Sequence, residues 1–184
     1  MAKVVLVTGM QAAGKSTIAP LLAARMGPPA ATLDGDVFYR GVVAGAEIMT
    51  PDPSAEAIRQ LELRYDASAL VAQHYADNGF DFVCSDIVLG EHVERWFSRL
   101  HDVETYLVVL VPTVESIVER EIGRGGANSY RDWQTADGSL ETAVRALQAG
   151  LDEIPRRGLW LDTTHQTPEQ SAEAIFANLP KARW

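Results

Sequence analysis

The sequence predicts a three-layer α/β domain built on a five-stranded parallel sheet. Short apolar, β-branched runs recur along the chain, and the stretches between them carry helical periodicity. Strands separated by helices pair in parallel through right-handed crossovers, and such a sheet needs helices over both faces. The length suits a single domain over residues 1–184, and 47% hydrophobic with 22% charged residues is the composition of a globular protein.

KVVLVTG (3–9) is a compact run ended by glycine, the first strand. A helix is expected from about Lys15 to Met26, stopped by Gly27-Pro28-Pro29, with Pro20 inside it predicting a kink or an irregular first turn. AATLD is the second strand, and residues 41 to 53 read as loop. A long helix should span about Ser54 to Asn78, with Ile58, Leu61, Tyr65, Ala69, Ala72 and Ala76 as its buried stripe. FDFVCSD (80–86) is the third strand, and Val93, Trp96, Phe97 and Leu100 mark a short helix. TYLVVLVP (105–112) is the most apolar run and a central strand, and Thr113 can cap a helix that turns Val114, Ile117 and Val118 inward. Residues 123 to 138 have many glycines and polar groups without periodicity, which reads as a mobile loop. A helix near 139–150 leads to the fifth strand in GLWLDT (158–163). Thr167-Pro168-Glu169-Gln170 is a capping box opening a last helix that buries Ala172, Ile175, Phe176 and Leu179.

Net charge is −9, with 25 acidic against 16 basic residues, which disfavours a general nucleic-acid or anionic-membrane surface. The single cysteine, Cys84, excludes an internal disulfide, reads as core, and fits a reducing cytoplasm. VVLVT near the start is too short for a signal segment or a membrane span. The four histidines have no zinc-like spacing.

Directly after the first strand comes Gly9-Met10-Gln11-Ala12-Ala13-Gly14-Lys15-Ser16-Thr17, which fits the phosphate-binding pattern G-x-x-x-x-G-K-[ST]. The glycines let the backbone curl so that consecutive N–H groups form an anion nest, and Gly14 hands over to a helix N-terminus that favours phosphate. Gly9, Ala12, Ala13, Gly14, Lys15, Ser16 and Thr17 are the expected nucleotide contacts. Lys15 should reach the β- and γ-phosphates of ATP, and the Ser16 hydroxyl should face Mg²⁺.

LDGD sets Asp34 and Asp36 two positions apart, on one side of the chain if the segment is extended. Two adjacent carboxylates repel unless a cation or a proton-carrying substrate lies between them. In a parallel sheet ligands gather beyond the carboxyl ends of the strands, where Asp34, Asp36, Asp86 and the phosphate loop all emerge. Asp36 is the expected base or orienter of an acceptor hydroxyl, and Asp34 the partner of Mg²⁺ through its water shell, with the reverse order open. Asp86 stands where a Walker-B-type carboxylate belongs, facing metal and substrate.

Arg124 and Arg131, within the loop, are candidates to offset charge on the transferred oxygens, and the loop would exclude water. Arg120 reads as a solvated helix residue or a neighbour of the nucleotide, and Arg40 as a partner of Asp36 or of an anionic acceptor. Trp133 suits a substrate contact or an anchor for the loop. Tyr39, Phe38, Met49 and Ile87 suit an acceptor pocket or the core.

The chain resembles the P-loop small-molecule kinases: shikimate, gluconate and adenylylsulfate kinases and chloramphenicol phosphotransferase. LDGD with Arg40 is similar to the substrate segment of adenylylsulfate kinase, whose aromatic, proline-rich segment has no recognisable counterpart here. SDIVLG followed by ERW, then TYLVVLV and LDTTHQTPEQ, resemble chloramphenicol phosphotransferase. The resemblance implies strand order 2-3-1-4-5 with a flexible lid at about 123–138. It also implies that Asp36 matches the catalytic aspartate of these families, and that adenine lies near Asp162-Thr163-Thr164-His165. The expected activity is ATP-dependent phosphorylation of a hydroxyl on a small metabolite or antibiotic. The alternatives are a nucleotide, sugar-nucleotide or adenylylsulfate kinase, and a nucleotide-dependent switch without acceptor chemistry.

Overall fold

The computed structural model describes residues 1–123, 130 and 139–184. Arg124, Arg131 and Trp133, and with them nearly all of the loop expected at 123–138, lie outside the described residues.

Five strands form one parallel sheet: β1 (Lys3–Gly9), β2 (Ala30–Asp34), β3 (Asp81–Ser85), β4 (Glu104–Leu110) and β5 (Leu159–Leu161), in the order β2-β3-β1-β4-β5. β1 is central, with Leu6 in register with Cys84 on one side and Leu107 on the other. Val4, Val5, Leu6 and Val7 are all fully buried, because successive side chains of a central strand point into two different cores.

One core gathers Val4 and Leu6 against α3 (Ala55–Asp77), α4 (His92–Phe97), α5 (Val114–Gly123) and α6 (Leu140–Asp152). The other gathers Val5 and Val7 against α1 (Lys15–Met26) and α7 (Pro168–Ala177). The layers are therefore helix, sheet, helix. Among the described residues no helix is long and apolar enough to cross a membrane.

Helix ends follow their caps. Ser54 accepts from the Ala57 N–H, Ser139 from Thr142 and Thr113 from Ser116. Thr167 and Gln170 make both bonds of the capping box, at 3.2 and 2.9 Å.

Three expectations need correction. α1 runs as continuous α-helix through Pro20, whose ring is exposed; its missing N–H costs the bond to the Ser16 carbonyl, and solvent can serve that group. Ile58 and Phe176 are 39% and 40% exposed, so the apolar stripes of α3 and α7 extend past the surfaces they pack on. The DGD segment is extended only as far as Asp34: Gly35 is in the right-handed helical region and caps α2 (Asp36–Gly41), a six-residue helix over positions that the sequence left without an element, ending at the first residue of the expected loop.

Candidate active site

The phosphate loop takes its shape at three backbone positions. Gly9 sits at φ 142°, where a Cβ would lie 2.6 Å from the Leu110 carbonyl oxygen, so only glycine lets β1 end so close to β4. Ala12 adopts a left-handed φ of 60°, a conformation that costs roughly 1–3 kcal/mol for a residue with a Cβ. Gly14, at φ 100°, turns the chain into α1. Lys15 is 9% exposed and its ammonium donates to the carbonyls of Gly9 and Met10, at 2.9 and 2.8 Å. Ser16 and Thr17 are exposed.

Long-range bonds hold the loop in place. The Thr8 hydroxyl donates to the Val88 carbonyl (2.7 Å) and accepts the Val88 N–H (3.0 Å), fixing the end of β1 to the segment after β3. Tyr130, fully buried, donates its hydroxyl to the Gln11 carbonyl at 2.8 Å. Arg120 reaches from α5 to the carbonyls of Ala13 (3.4 Å) and Thr163 (2.7 Å), joining the phosphate loop to the segment after β5.

That segment is itself ordered by Asp162, whose Oδ1 accepts the Thr164 hydroxyl (2.5 Å) and N–H (2.8 Å). The hydroxyl bond, followed by the backbone bond, holds the Asp162 carboxyl below its ordinary range.

Two clefts open on either side of Ala12 and Gly14. The larger, about 270 Å³, lies between the loop and the start of α7 and is lined by Thr17, Arg120, Thr163, Gln166 and Ser171 among others. Thr163 Oγ1 is buried there with no partner among the described residues, while Ser171 donates to Gln166 Oε1 at 3.0 Å. Of the cleft's polar side chains, Thr17, Arg120 and Thr163 stood out in the sequence, and Gln166 only as part of LDTTHQTPEQ; nothing there marked Ser171.

The smaller cleft, about 100 Å³, is lined by Lys15, Ser16, Asp34, Asp36, Asp86 and Ile87 together with Gln11, Ala12 and Gly14. The fold thus brings the phosphate loop and all three aspartates to one space at the carboxyl ends of β1, β2 and β3. Their local settings differ. Asp34 Oδ1 accepts the Asp36 N–H (3.0 Å), so its carboxylate ties the turn into α2. Asp36 is exposed in the first turn of that helix, where the N-terminal dipole favours a negative charge.

Asp86 is 3% exposed; its Oδ1 accepts from the Ile87 N–H (2.7 Å) and lies 3.1 Å from Arg64 Nη2 in an ion pair. Its Oδ2 is buried against Gly35 without a hydrogen-bond partner among the described residues. Burial pushes the Asp86 carboxyl above its ordinary range while the Arg64 guanidinium and the Ile87 N–H oppose the rise. The Asp86 side chain is 1% exposed while bordering the smaller cleft.

Arg64 is the side chain that sequence reasoning missed. Its guanidinium lies 5.1 Å from the ring centre of Tyr65 and 5.9 Å from that of Tyr39. Burial alone would lower its pKa, but Asp86, then Tyr65 and Asp36, hold it above its ordinary value. Tyr65 donates its hydroxyl to the Ile87 carbonyl, and burial raises its pKa. Arg40 is exposed in the last turn of α2, lines neither cleft and makes no ion pair with Asp36. Cys84 is fully buried, as expected of core.

Among the described residues no three His, Cys, Asp or Glu side chains converge as a metal cage. Mg²⁺ does not require one: it keeps several waters and takes one or two protein ligands beside substrate phosphates. The exposed Ser16 hydroxyl sharing a cleft with Asp34 fits that donor set.

Comparison with known proteins agrees with this fold. A family model described as chloramphenicol phosphotransferase-like protein matches residues 2–180. No curated protein matches the chain at comparable significance. An unliganded sugar kinase from Janibacter sp. HTCC2649 is similar in structure, at TM-score 0.69 and 19% identity, covering 99% of this chain and 96% of that one. The adenylylsulfate (APS) kinase of Mycobacterium tuberculosis, solved with AMPPNP and APS, gives TM-score 0.69 and 20% identity over 97% and 98% of the two chains. A gluconokinase from Sinorhizobium meliloti gives 0.63 and 14% over 97% and 91%. These structures share the P-loop kinase fold, strand order included, and the family match extends over nearly the whole sequence: the chain belongs to the chloramphenicol phosphotransferase-like family.

Proposed function

We propose that the chain transfers the γ-phosphate of ATP to a hydroxyl of a small molecule, a metabolite or an antibiotic. The observation that carries this reading is the shared cleft: Gly14, Lys15 and Ser16 border the same space as Asp34 and Asp36. A triphosphate on the loop would end beside a carboxylate able to accept the proton of an attacking hydroxyl.

Asp36 is the proposed base or orienter. Asp34 is the weaker candidate because one of its oxygens already serves the turn into α2. Lys15 exchanges its two carbonyl partners for the β- and γ-phosphates, and the N–H groups of the loop hold the phosphate oxygens. Ser16 directly and Asp34 through water are the proposed neighbours of Mg²⁺, which when bound neutralises charge on the β- and γ-oxygens. Asp86, which borders the smaller cleft and pairs with Arg64, remains a proposed neighbour of metal and substrate. The nucleoside would occupy the larger cleft beside Arg120 and Thr163. Arg124 and Arg131 remain the proposed contacts of the transferred phosphoryl group. Dependence on ATP suits a cytoplasmic enzyme.

A screen of hydroxyl compounds for acceptor-dependent ADP release tests the reading. Stimulation by one compound class is expected. Tight ATP binding with no stimulation by any compound, alongside a protein partner whose affinity follows the bound nucleotide, would point to a switch.

A further inference from the structure

The phosphate loop presents an N–H to a phosphate only where the carbonyl of the same peptide turns away, because the two point in opposite directions across a trans bond. A carbonyl turned away from solvent needs a donor behind it. The donors here are of two kinds. Lys15 serves the Gly9 and Met10 carbonyls, at 2.9 and 2.8 Å, and would leave both for the β- and γ-phosphates. The Gln11 carbonyl instead accepts the Tyr130 hydroxyl, at 2.8 Å. Tyr130 is fully buried in the core that also holds Val4 and Leu6, so its bond to the loop has no cause to break when a triphosphate arrives.

The next residue makes that bond matter. Ala12 holds a left-handed φ of 60°, which a residue with a Cβ keeps only where its surroundings over-determine it. One contact on each side does so: the Tyr130 hydroxyl on the Gln11 carbonyl, and the Ala13 N–H on the Met10 carbonyl at 3.2 Å. Ala12 borders both clefts. With the Gln11 carbonyl anchored on the core, the Ala12 N–H of that peptide is directed away from the core, toward the phosphate side.

We infer that Tyr130 is a positioning residue of the phosphate loop, its hydroxyl fixing the Gln11–Ala12 peptide so that the Ala12 N–H meets a phosphate oxygen. The inference rests on the phosphate-binding half of the reading above and is independent of the acceptor. Tyr130 itself touches no ligand; it acts through the backbone.

The experiment titrates tripolyphosphate with Mg²⁺ calorimetrically into the full chain, as wild type and as Tyr130→Phe, and measures urea unfolding of both without ligand. Phenylalanine keeps the ring in the core and removes only the donor. Tripolyphosphate affinity should fall about fivefold, the worth of one neutral hydrogen bond, because fewer loops hold the binding conformation. Unchanged affinity, whatever happens to the unfolding free energy, would leave Tyr130 a structural role only and overturn the inference with phosphoryl transfer intact. A wild type that does not bind tripolyphosphate would overturn the inference and the phosphate-loop reading together. para-Aminophenylalanine in place of Tyr130 restores a donor at the ring end and should return the affinity to within about twofold of wild type. No recovery there counts against the hydroxyl and overturns the inference. Should Tyr130→Phe not fold, carbonyl-carbon NMR shifts of the wild type decide. On adding tripolyphosphate the Gly9 and Met10 carbonyls lose Lys15 and should move, while the Gln11 carbonyl, still held, should stay. A Gln11 shift as large as theirs contradicts the inference.

Discussion

Gly35 and Asp86 are packed so closely that a methyl group on the glycine would sit 2.0 Å from the buried Oδ2 of the aspartate. Gly35 also donates its N–H to the Ser85 carbonyl at 2.9 Å, so the turn carrying Asp34 and Asp36 is seated on the end of β3. The middle residue of DGD is a glycine for that reason; its φ of −60° is open to any residue. Contact, not conformation, excludes a side chain.

Gly35→Ala should therefore destabilise the fold by about 1–3 kcal/mol, the usual cost of overpacking a filled site. The turn has to lift from Asp86, which also moves Asp36 relative to the phosphate loop. Urea unfolding measures the first effect and acceptor-dependent turnover the second; unchanged values of both would remove the turn from the account.

Asp86 predicts an unusual pH dependence. Its folded pKa is raised above the ordinary 3.8, with burial as the main cause, so the folded state holds its proton more tightly than the unfolded chain. The favourable contribution is then fully present below the unfolded pKa and is lost as pH rises through the folded one. The stability of wild type relative to Asp86→Asn should fall as pH rises from about 4. Arg64→Met removes the group that opposes the rise and should steepen the fall. Unfolding free energies of the three proteins from pH 4 to 7 test this, and a wild-type advantage that grows with pH contradicts it.

Arg120 predicts a different phenotype. It joins the Ala13 and Thr163 carbonyls across the larger cleft but lies outside the cores that hold the sheet. Arg120→Met should weaken ATP binding by about tenfold, equivalent to one charged hydrogen bond, with little change in unfolding midpoint. Equal ATP affinity by calorimetry would place the nucleoside elsewhere.

The strands were legible because a parallel sheet covered on both faces asks for unbroken apolar runs, and KVVLVTG and TYLVVLVP supply them. The phosphate loop was legible because each fixed position answers a backbone or charge requirement that nothing else in the chain meets. α2 was not: six residues after a glycine show too little periodicity to separate helix from loop. Ile58 and Phe176 misled because periodicity reports which face is apolar and not how far the neighbouring surface extends. Arg64 stayed hidden for a further reason. It stands beside Tyr65 on a long helix, where an arginine ordinarily points to solvent, and only β3 folding against α3 brings Asp86 to it. Ion pairs between distant segments leave no local trace.

In the proposed function Asp36 addresses the acceptor while the phosphate loop holds the triphosphate. The most direct test pairs calorimetric ATP affinity with acceptor-dependent ADP release for Asp36→Asn, using whichever compound stimulates wild type most. Turnover should fall by about 10²–10⁴ with ATP affinity within about twofold of wild type. Turnover retained in that variant would contradict the role given to Asp36.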